Sequence, residues 1–155
     1  LDAVDGSEET DHLALELEFW GLDLEANGQG SALVLKDEPR PAERRFDLME
    51  RTSRFGESVI QFCQRIPRNS TGDTLARQLV RSGTSVGANY CEADDAVSKK
   101  EFKHKIGICR KESKETKYWL RMVALAEPGM KPDARELWKE ARELHLIFCT
   151  IYNRS

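Results

Sequence analysis

The sequence predicts an all-α protein, an antiparallel up-down-up-down four-helix bundle with a short N-terminal β-ribbon-like extension. Apolar residues recur at steps of three and four along most of residues 42–155. Proline, glycine and polar connections divide that part into four segments, each about 18 to 25 residues long. Residues 1–41 lack this period, so we expect two parts, an acidic extension with a linker (1–41) and the bundle domain (42–155).

The extension has the pattern of a half-buried strand. Apolar residues alternate with other residues from Leu13 to Trp20, and a second short apolar run lies in residues 31–36. Asn27-Gly28 between the two runs is a turn signal. A single helical stripe also fits, but Gly21 interrupts it; its members are Leu13, Leu17, Trp20 and Leu24. We therefore expect a β ribbon.

Local signals set the ends of the first two predicted bundle helices. The first runs from about Pro41 or Phe46 to Ile66, because Pro67 cannot continue it. The polar connection 69–73 then supplies capping oxygens for the second, which ends near Asp94 or Ala96.

Similar signals bound the third and fourth predicted helices. Ser98 opens the third, with Glu101 completing a capping box. Pro128-Gly129 closes it, and Pro132 occupies a first helical turn, where proline is tolerated. The fourth helix then continues to about Ile151.

Small residues interrupt the apolar stripe of the second predicted helix; they are Ser82, Gly83, Ser85, Gly87 and Ala88. Each glycine should cost about 1 kcal/mol relative to alanine in a helix interior. A close approach by another element would offset that cost. We expect the third helix to fill this space with its bulky and charged side chains Glu112, Glu115 and Trp119.

A polar stripe runs beside the small residues and consists of Arg81, Ser85, Asn89 and Glu92. Arg81 should pair with Glu112 or Glu115 on the third helix, and Asn89 and Glu92 could act in the same groove. Two interpretations remain open: a network that fixes helix register, and a binding site.

A carboxylate metal site is the alternative with the most specific chemistry. Glu92, Glu112 and Glu115 could hold Mg²⁺, whereas a ferritin-like centre needs two Glu-x-x-His motifs and only Glu101–His104 matches. No phosphate-binding loop or nucleophile motif is present in the sequence. We expect no catalytic residues, no metal and no cofactor.

Charge is divided unevenly along the chain. Residues 1–38 carry a net charge of −10 and residues 39–155 carry +7. The third predicted helix is the most basic element, and its nucleic-acid-binding candidates recur at helical spacing: Lys103, Arg110, Lys114 and Lys117. A solvated helix face is the alternative interpretation of this charge. Without an apolar run of about 18 residues or a signal peptide, we expect a cytoplasmic protein with no membrane contact.

One motif resembles a known family. Residues 81–93 read Arg-Ser-Gly-Thr-Ser-Val-Gly-Ala-Asn-Tyr-Cys-Glu-Ala. Together with Ser98, Phe102, Glu112, Glu115 and Trp119, they resemble the bacterial four-helix-bundle proteins of the 23S rRNA intervening-sequence (S23) family. The resemblance covers about residues 45–152. It implies a cytoplasmic homo-oligomer, with a pentamer expected, and no established enzymatic activity.

Two functional hypotheses follow. In the first, a non-enzymatic oligomeric bundle binds nucleic acid or a ribonucleoprotein partner through the basic third helix. In the second, the protein is an interaction scaffold whose N-terminal extension docks a partner or a neighbouring subunit.

Overall fold

A computed structural model describes residues 6–23 and 41–155 of the chain. These residues are all-helical, with five α-helices, one short 3₁₀ helix and no strand. The chain divides between Arg40 and Pro41 into two units, which are described separately. Within the described ranges, no helix combines the length and apolar character needed to cross a membrane.

The N-terminal unit contains a helix where the sequence analysis predicted a strand. Helix α1 spans Gly6–Trp20, so the strand prediction for residues 13–20 is wrong. Gly21 has φ +66°. Its N–H donates to the Glu18 carbonyl at 3.0 Å, and the Leu22 N–H donates to the Leu17 carbonyl at 2.9 Å. This pair of bonds is a Schellman motif, so Gly21 ends the helix instead of preventing it. The second predicted strand, residues 31–36, lies outside the described residues.

The second unit contains four long helices. They are α2 (Pro41–Cys63), α3 (Ser70–Asp94), α4 (Lys99–Ala126) and α5 (Lys131–Arg154), with the 3₁₀ helix Pro128–Met130 between the last two. Each helix packs against the next, and α2 also packs against α5, which closes the bundle.

Neighbouring helices in this bundle run in opposite directions. Arg51, near the middle of α2, pairs with Glu140 of α5 at 2.6 Å, whereas Arg65, later in the chain and just beyond α2, pairs with the earlier residue Asp133 in the first turn of α5 at 2.7 Å. The contacts of α3 with α4 and of α4 with α5 have the same antiparallel order.

Side-chain caps start α3 and α4 as predicted. Asn69 Oδ1 accepts a hydrogen bond from Gly72 N–H at 2.8 Å, and Ser98 Oγ accepts one from Glu101 N–H at 3.1 Å. The Glu101 carboxylate accepts from Val97 N–H at 3.0 Å. The bonds from Gly72 and Glu101 satisfy amide groups that the first helical turns leave without helical partners, and the bond from Val97 holds the residue before the Ser98 cap.

The core contains large apolar side chains from all four helices. Its fully buried members include Val59, Phe62, Leu79, Val86, Ile106, Leu120, Trp138, Leu144 and Phe148.

The two glycines of α3 do allow a close approach, but the element that they face is α2. A Cβ added to Gly83 would lie 2.8 Å from Val59 Cγ1, and one added to Gly87 would lie 3.2 Å from the Thr52 carbonyl oxygen. The expectation that the glycines make room for α4 is therefore wrong. They place the α3 backbone directly against α2, while α4 packs on an adjacent side of α3.

Candidate nucleic-acid interface

The predicted ion pair between α3 and α4 is present. Arg81 Nη2 contacts Glu115 Oε1, and Arg81 Nη1 lies 3.4 Å from Glu112 Oε1. The same Glu115 oxygen accepts a hydrogen bond from Trp119 Nε1–H at 3.0 Å. One arginine of α3 thus holds two carboxylates and, through one of them, an indole ring of α4.

The two carboxylates of this network differ in their proton affinity. Burial raises the pKa of Glu112, and Arg81 offsets this only in part. Burial also acts to raise the pKa of Glu115, but the hydrogen bonds from Trp119 and Arg81 outweigh it, so that pKa is lowered. Glu115 is therefore the carboxylate that Arg81 and Trp119 hold in its charged form.

The other residues of the predicted polar stripe lie outside this network. Ser85 Oγ donates to the Arg81 carbonyl at 2.6 Å, and Asn89 Nδ2 donates to the Ser85 carbonyl at 2.9 Å, so both bond within α3. Glu92 pairs with Lys105 of α4. The stripe therefore supplies local backbone bonds and a second α3–α4 ion pair.

The three carboxylates proposed as Mg²⁺ ligands do not form one cluster. Glu112 and Glu115 share Arg81, whereas Glu92 pairs with Lys105. Across the described part of the chain, no group of three or more His, Cys, Asp or Glu side chains is arranged to hold a metal ion.

Helix α4 carries the positive charge of the bundle. Residues 41–155 contain 22 Lys/Arg and 16 Asp/Glu, a net charge of +6; α4 alone contains nine Lys/Arg and three Glu, which is also +6. The other elements of the bundle balance to zero. The net positive charge of this unit therefore equals the net charge of α4.

Four lysines of α4 are exposed: Lys99, Lys100, Lys111 and Lys114. The structure gives none of these four an ion pair with any described residue. Lys111 and Lys114 lie one turn apart on the outer side of the helix. We call this pair the α4 basic face. Of the four sequence-predicted candidates, Lys114 belongs to it.

Lys103 and Arg110 both contact a tyrosine of α5. The Lys103 Nζ atom lies 4.9 Å from the Tyr152 ring centroid, and the Arg110 guanidinium carbon lies 4.3 Å from it. Lys103 Nζ also donates to the Ser155 carbonyl at 2.8 Å. Both cations are half-buried and hold the end of α5, so they lie at the margin of the basic face.

Lys117 is not an exposed cation. Its side chain is only 9% exposed, and its Nζ lies 5.4 Å from the centroid of the Trp138 ring on α5. Nucleic-acid contact by Lys117 stays a prediction, and this burial places most of the side chain out of reach of a ligand at the surface. Helical spacing groups Lys117 with Lys114 and Lys103. A helix has 3.6 residues per turn, however, so the three residues from Lys114 to Lys117 fall short of a full turn, and Lys117 lies on the side of α4 that faces α5.

Lys111 and Tyr118 are surface residues that the sequence analysis did not select. The spacing 111–114–118–125 keeps residues on one helix face, and all four of these positions are exposed. That spacing can be recognised in the sequence. The contacts of Tyr152 with α4 cannot be recognised there, because they depend on the register of α5 against α4.

All four cysteines are free thiols, and each lies on a different bundle helix. Cys63 and Cys109 are buried, and burial raises the pKa of each thiol to about 12. Cys91 is exposed, and Cys149 is half-buried.

A histidine joins α5 to α4 near the basic residues. The Arg110 carbonyl oxygen lies 2.9 Å from His145 Nδ1; because a carbonyl only accepts, Nδ1 carries the hydrogen. Nε2 is then free to accept from the Cys149 thiol at 3.5 Å. Burial lowers the pKa of His145, and the charges of Lys117, Lys114 and Arg110 lower it further.

Acidification should therefore destabilise the bundle through His145. The folded-state pKa lies below the ordinary value of 6.5, so the unfolded chain takes up a proton first as the pH falls through that value. We expect the free energy of unfolding to fall between about pH 7.5 and pH 5, and to fall less in His145→Asn. Urea unfolding at both pH values measures the difference. The raised pKa of Glu112 changes the free energy of unfolding in the opposite direction, and it does so in both proteins. An equal fall of the free energy of unfolding in both proteins would exclude the histidine as the cause.

Comparison with known proteins agrees with this fold. The family described as 23S rRNA-intervening sequence protein matches residues 44–149. The crystal structure of a protein of unknown function from the S23 ribosomal protein family of Bacteroides thetaiotaomicron VPI-5482 is similar, with a TM-score of 0.65 and 25% sequence identity. The similarity covers 70% of this chain and 97% of that one. No curated protein matches. The chain belongs to the 23S rRNA-intervening sequence protein family.

Proposed function

We propose that this protein is a non-enzymatic homo-oligomer that binds RNA, alone or within a ribonucleoprotein, through the α4 basic face. One observation carries the proposal. The whole net positive charge of the bundle lies on α4, where Lys111 and Lys114 are exposed and have no ion pair with a described residue. Unpaired surface cations are the groups that contact a phosphate backbone.

The surroundings of these lysines support the same function. Lys99 and Lys100 add two exposed cations at the start of α4. Arg81 pairs with both Glu112 and Glu115 and offsets part of their negative charge, so those carboxylates oppose an approaching phosphate less than free carboxylates would. The descriptions of the family and of its similar structure, which refer to 23S rRNA and to a ribosomal protein family, are consistent with an RNA ligand.

Reversing the charges of the α4 basic face should weaken RNA binding. We expect Lys111→Glu combined with Lys114→Glu to raise the Kd for a structured RNA hairpin by about tenfold or more at low salt, because two phosphate contacts become repulsive. The matched control is Arg54→Glu with Lys139→Glu, which reverses two charges on α2 and α5. Fluorescence anisotropy of labelled RNA measures all three proteins.

Equal weakening in the control pair would show that only net charge matters, and that α4 has no special role. Absence of binding by the unmodified protein at low salt would exclude the proposed function. The mass in solution, compared with 17.7 kDa for one chain, tests the homo-oligomer; for the expected pentamer it should be about five times larger.

A further inference from the structure

An aromatic pair lies on α4 directly after the basic face, with Tyr118 exposed and Trp119 half-buried. Tyr118 is 52% exposed, although a tyrosine on a bundle helix usually gains stability by burying its ring. Its ring meets that of Trp119 edge to face, with centroids 4.9 Å apart and an interplanar angle of 77°. The two rings are thus in contact, and this contact leaves much of the tyrosine open to solvent.

The α3–α4 network holds this pair in place. Trp119 Nε1–H donates to Glu115 at 3.0 Å, and Arg81 of α3 binds the same carboxylate. The indole is therefore fixed by two helices, and Tyr118 packs on a fixed surface. An aromatic ring whose orientation is set before binding loses little conformational entropy when a ligand stacks on it.

The residues around Tyr118 indicate an anionic ligand. Lys114 lies one turn before it and Lys111 two turns before it on the same exposed face, about 6 and 10 Å along the helix axis. A second copy of this chain using the same face about a two-fold axis would bring these lysines towards each other, which is unfavourable. Aromatic rings beside cations are instead the combination that binds single-stranded nucleic acid.

We propose that Tyr118, supported by Trp119, is a stacking platform for an unpaired base of RNA, with the adjoining phosphates on Lys114 and Lys111. This inference rests on the proposed RNA-binding function and specifies its ligand. A base inside a duplex stacks on its neighbours, so only unpaired nucleotides of loops, bulges or single strands can offer a face to the tyrosine. The protein should accordingly prefer single-stranded to fully paired RNA.

Two RNA probes of equal length test the platform. One is a single strand of about 16 nucleotides, and the other is the same strand annealed to its complement. We expect Tyr118→Ala to weaken binding of the single strand about tenfold and to change duplex binding little, since stacking on one base carries this much affinity. Tyr118→Phe keeps the ring and should bind like the unmodified protein. Leu146→Ala, at a position on α5 that is also 52% exposed, is the control.

The outcomes separate this inference from the proposed function. If the unmodified protein binds neither probe, the proposed function fails, and the platform fails with it. If it binds RNA but Tyr118→Ala binds the single strand equally well, the platform is excluded while the α4 basic face remains. If Tyr118→Ala instead lowers the mass in solution, the tyrosine belongs to a subunit interface and the inference is wrong. Thermal unfolding of each variant confirms that the bundle is folded.

Discussion

Replacing Gly83 by alanine should destabilise the bundle by about 1 to 3 kcal/mol, although alanine favours a helix interior over glycine by about 1 kcal/mol. The added Cβ would lie 2.8 and 2.9 Å from the two Cγ atoms of Val59. Valine is branched at Cβ and has few alternative rotamers, so it cannot move aside without moving α2. The cost of the clash should therefore exceed the gain in helix propensity.

Gly56 on α2 provides a matched control for this substitution. A Cβ there would lie 3.7 Å from Thr84 Cα and 3.8 Å from its Cγ2, which is ordinary van der Waals contact. We expect Gly56→Ala to be neutral or to stabilise the protein by up to about 1 kcal/mol. Chemical denaturation of both variants measures the difference. Equal stability of the two would show that α2 and α3 do not require a glycine at residue 83.

A compensating change should restore part of the missing stability. Val59→Ala removes the two methyl groups that meet the new Cβ, so the double variant Gly83→Ala with Val59→Ala should be more stable than the sum of the two single effects predicts. Additive effects would mean that the two residues do not contact each other as the structure shows.

Lys117→Glu should be the most damaging substitution among the cations of α4. The lysine is 9% exposed, and its ammonium lies 5.4 Å from the centroid of the Trp138 ring. A carboxylate at this position would be desolvated and would meet the negative face of the indole. We expect a loss of about 3 kcal/mol or more, as for other uncompensated buried charges, measured as a fall in the denaturation midpoint.

Lys117→Met distinguishes packing from RNA contact. Methionine keeps a long flexible stem that can cover Trp138, so we expect a much smaller loss of stability and unchanged RNA affinity. A large fall in RNA affinity for a stably folded Lys117→Met protein would show that this lysine reaches the ligand.

The bundle was predictable from the sequence because its signals are local and agree with one another. Pro67 and Pro128 separate helices, Asn69 and Ser98 cap them, and apolar residues repeat with the helical period. The ion pair of Arg81 with Glu112 and Glu115 was also predictable, since α3 and α4 are consecutive and antiparallel.

The structure differs from the sequence-based expectations for two physical reasons. In α1, the alternating leucines also fit a helical stripe, and Gly21 ends that helix instead of preventing it, because a glycine with positive φ is a common helix terminus. In the bundle, helical period alone does not say which neighbour a residue meets. Gly83 contacts α2 instead of α4, and Lys117 faces α5 instead of solvent.

The dependence of RNA affinity on salt tests the role of the α4 basic face most directly. We expect log Kd for a structured RNA hairpin to rise linearly with log salt concentration between about 50 and 200 mM, as bound cations are released from the phosphates. Reversing the charges of Lys111 and Lys114 should lower that slope. The expected decrease is about one for each phosphate contact that is lost. Identical slopes for the unmodified and reversed proteins, or no dependence on salt, would contradict RNA binding through α4.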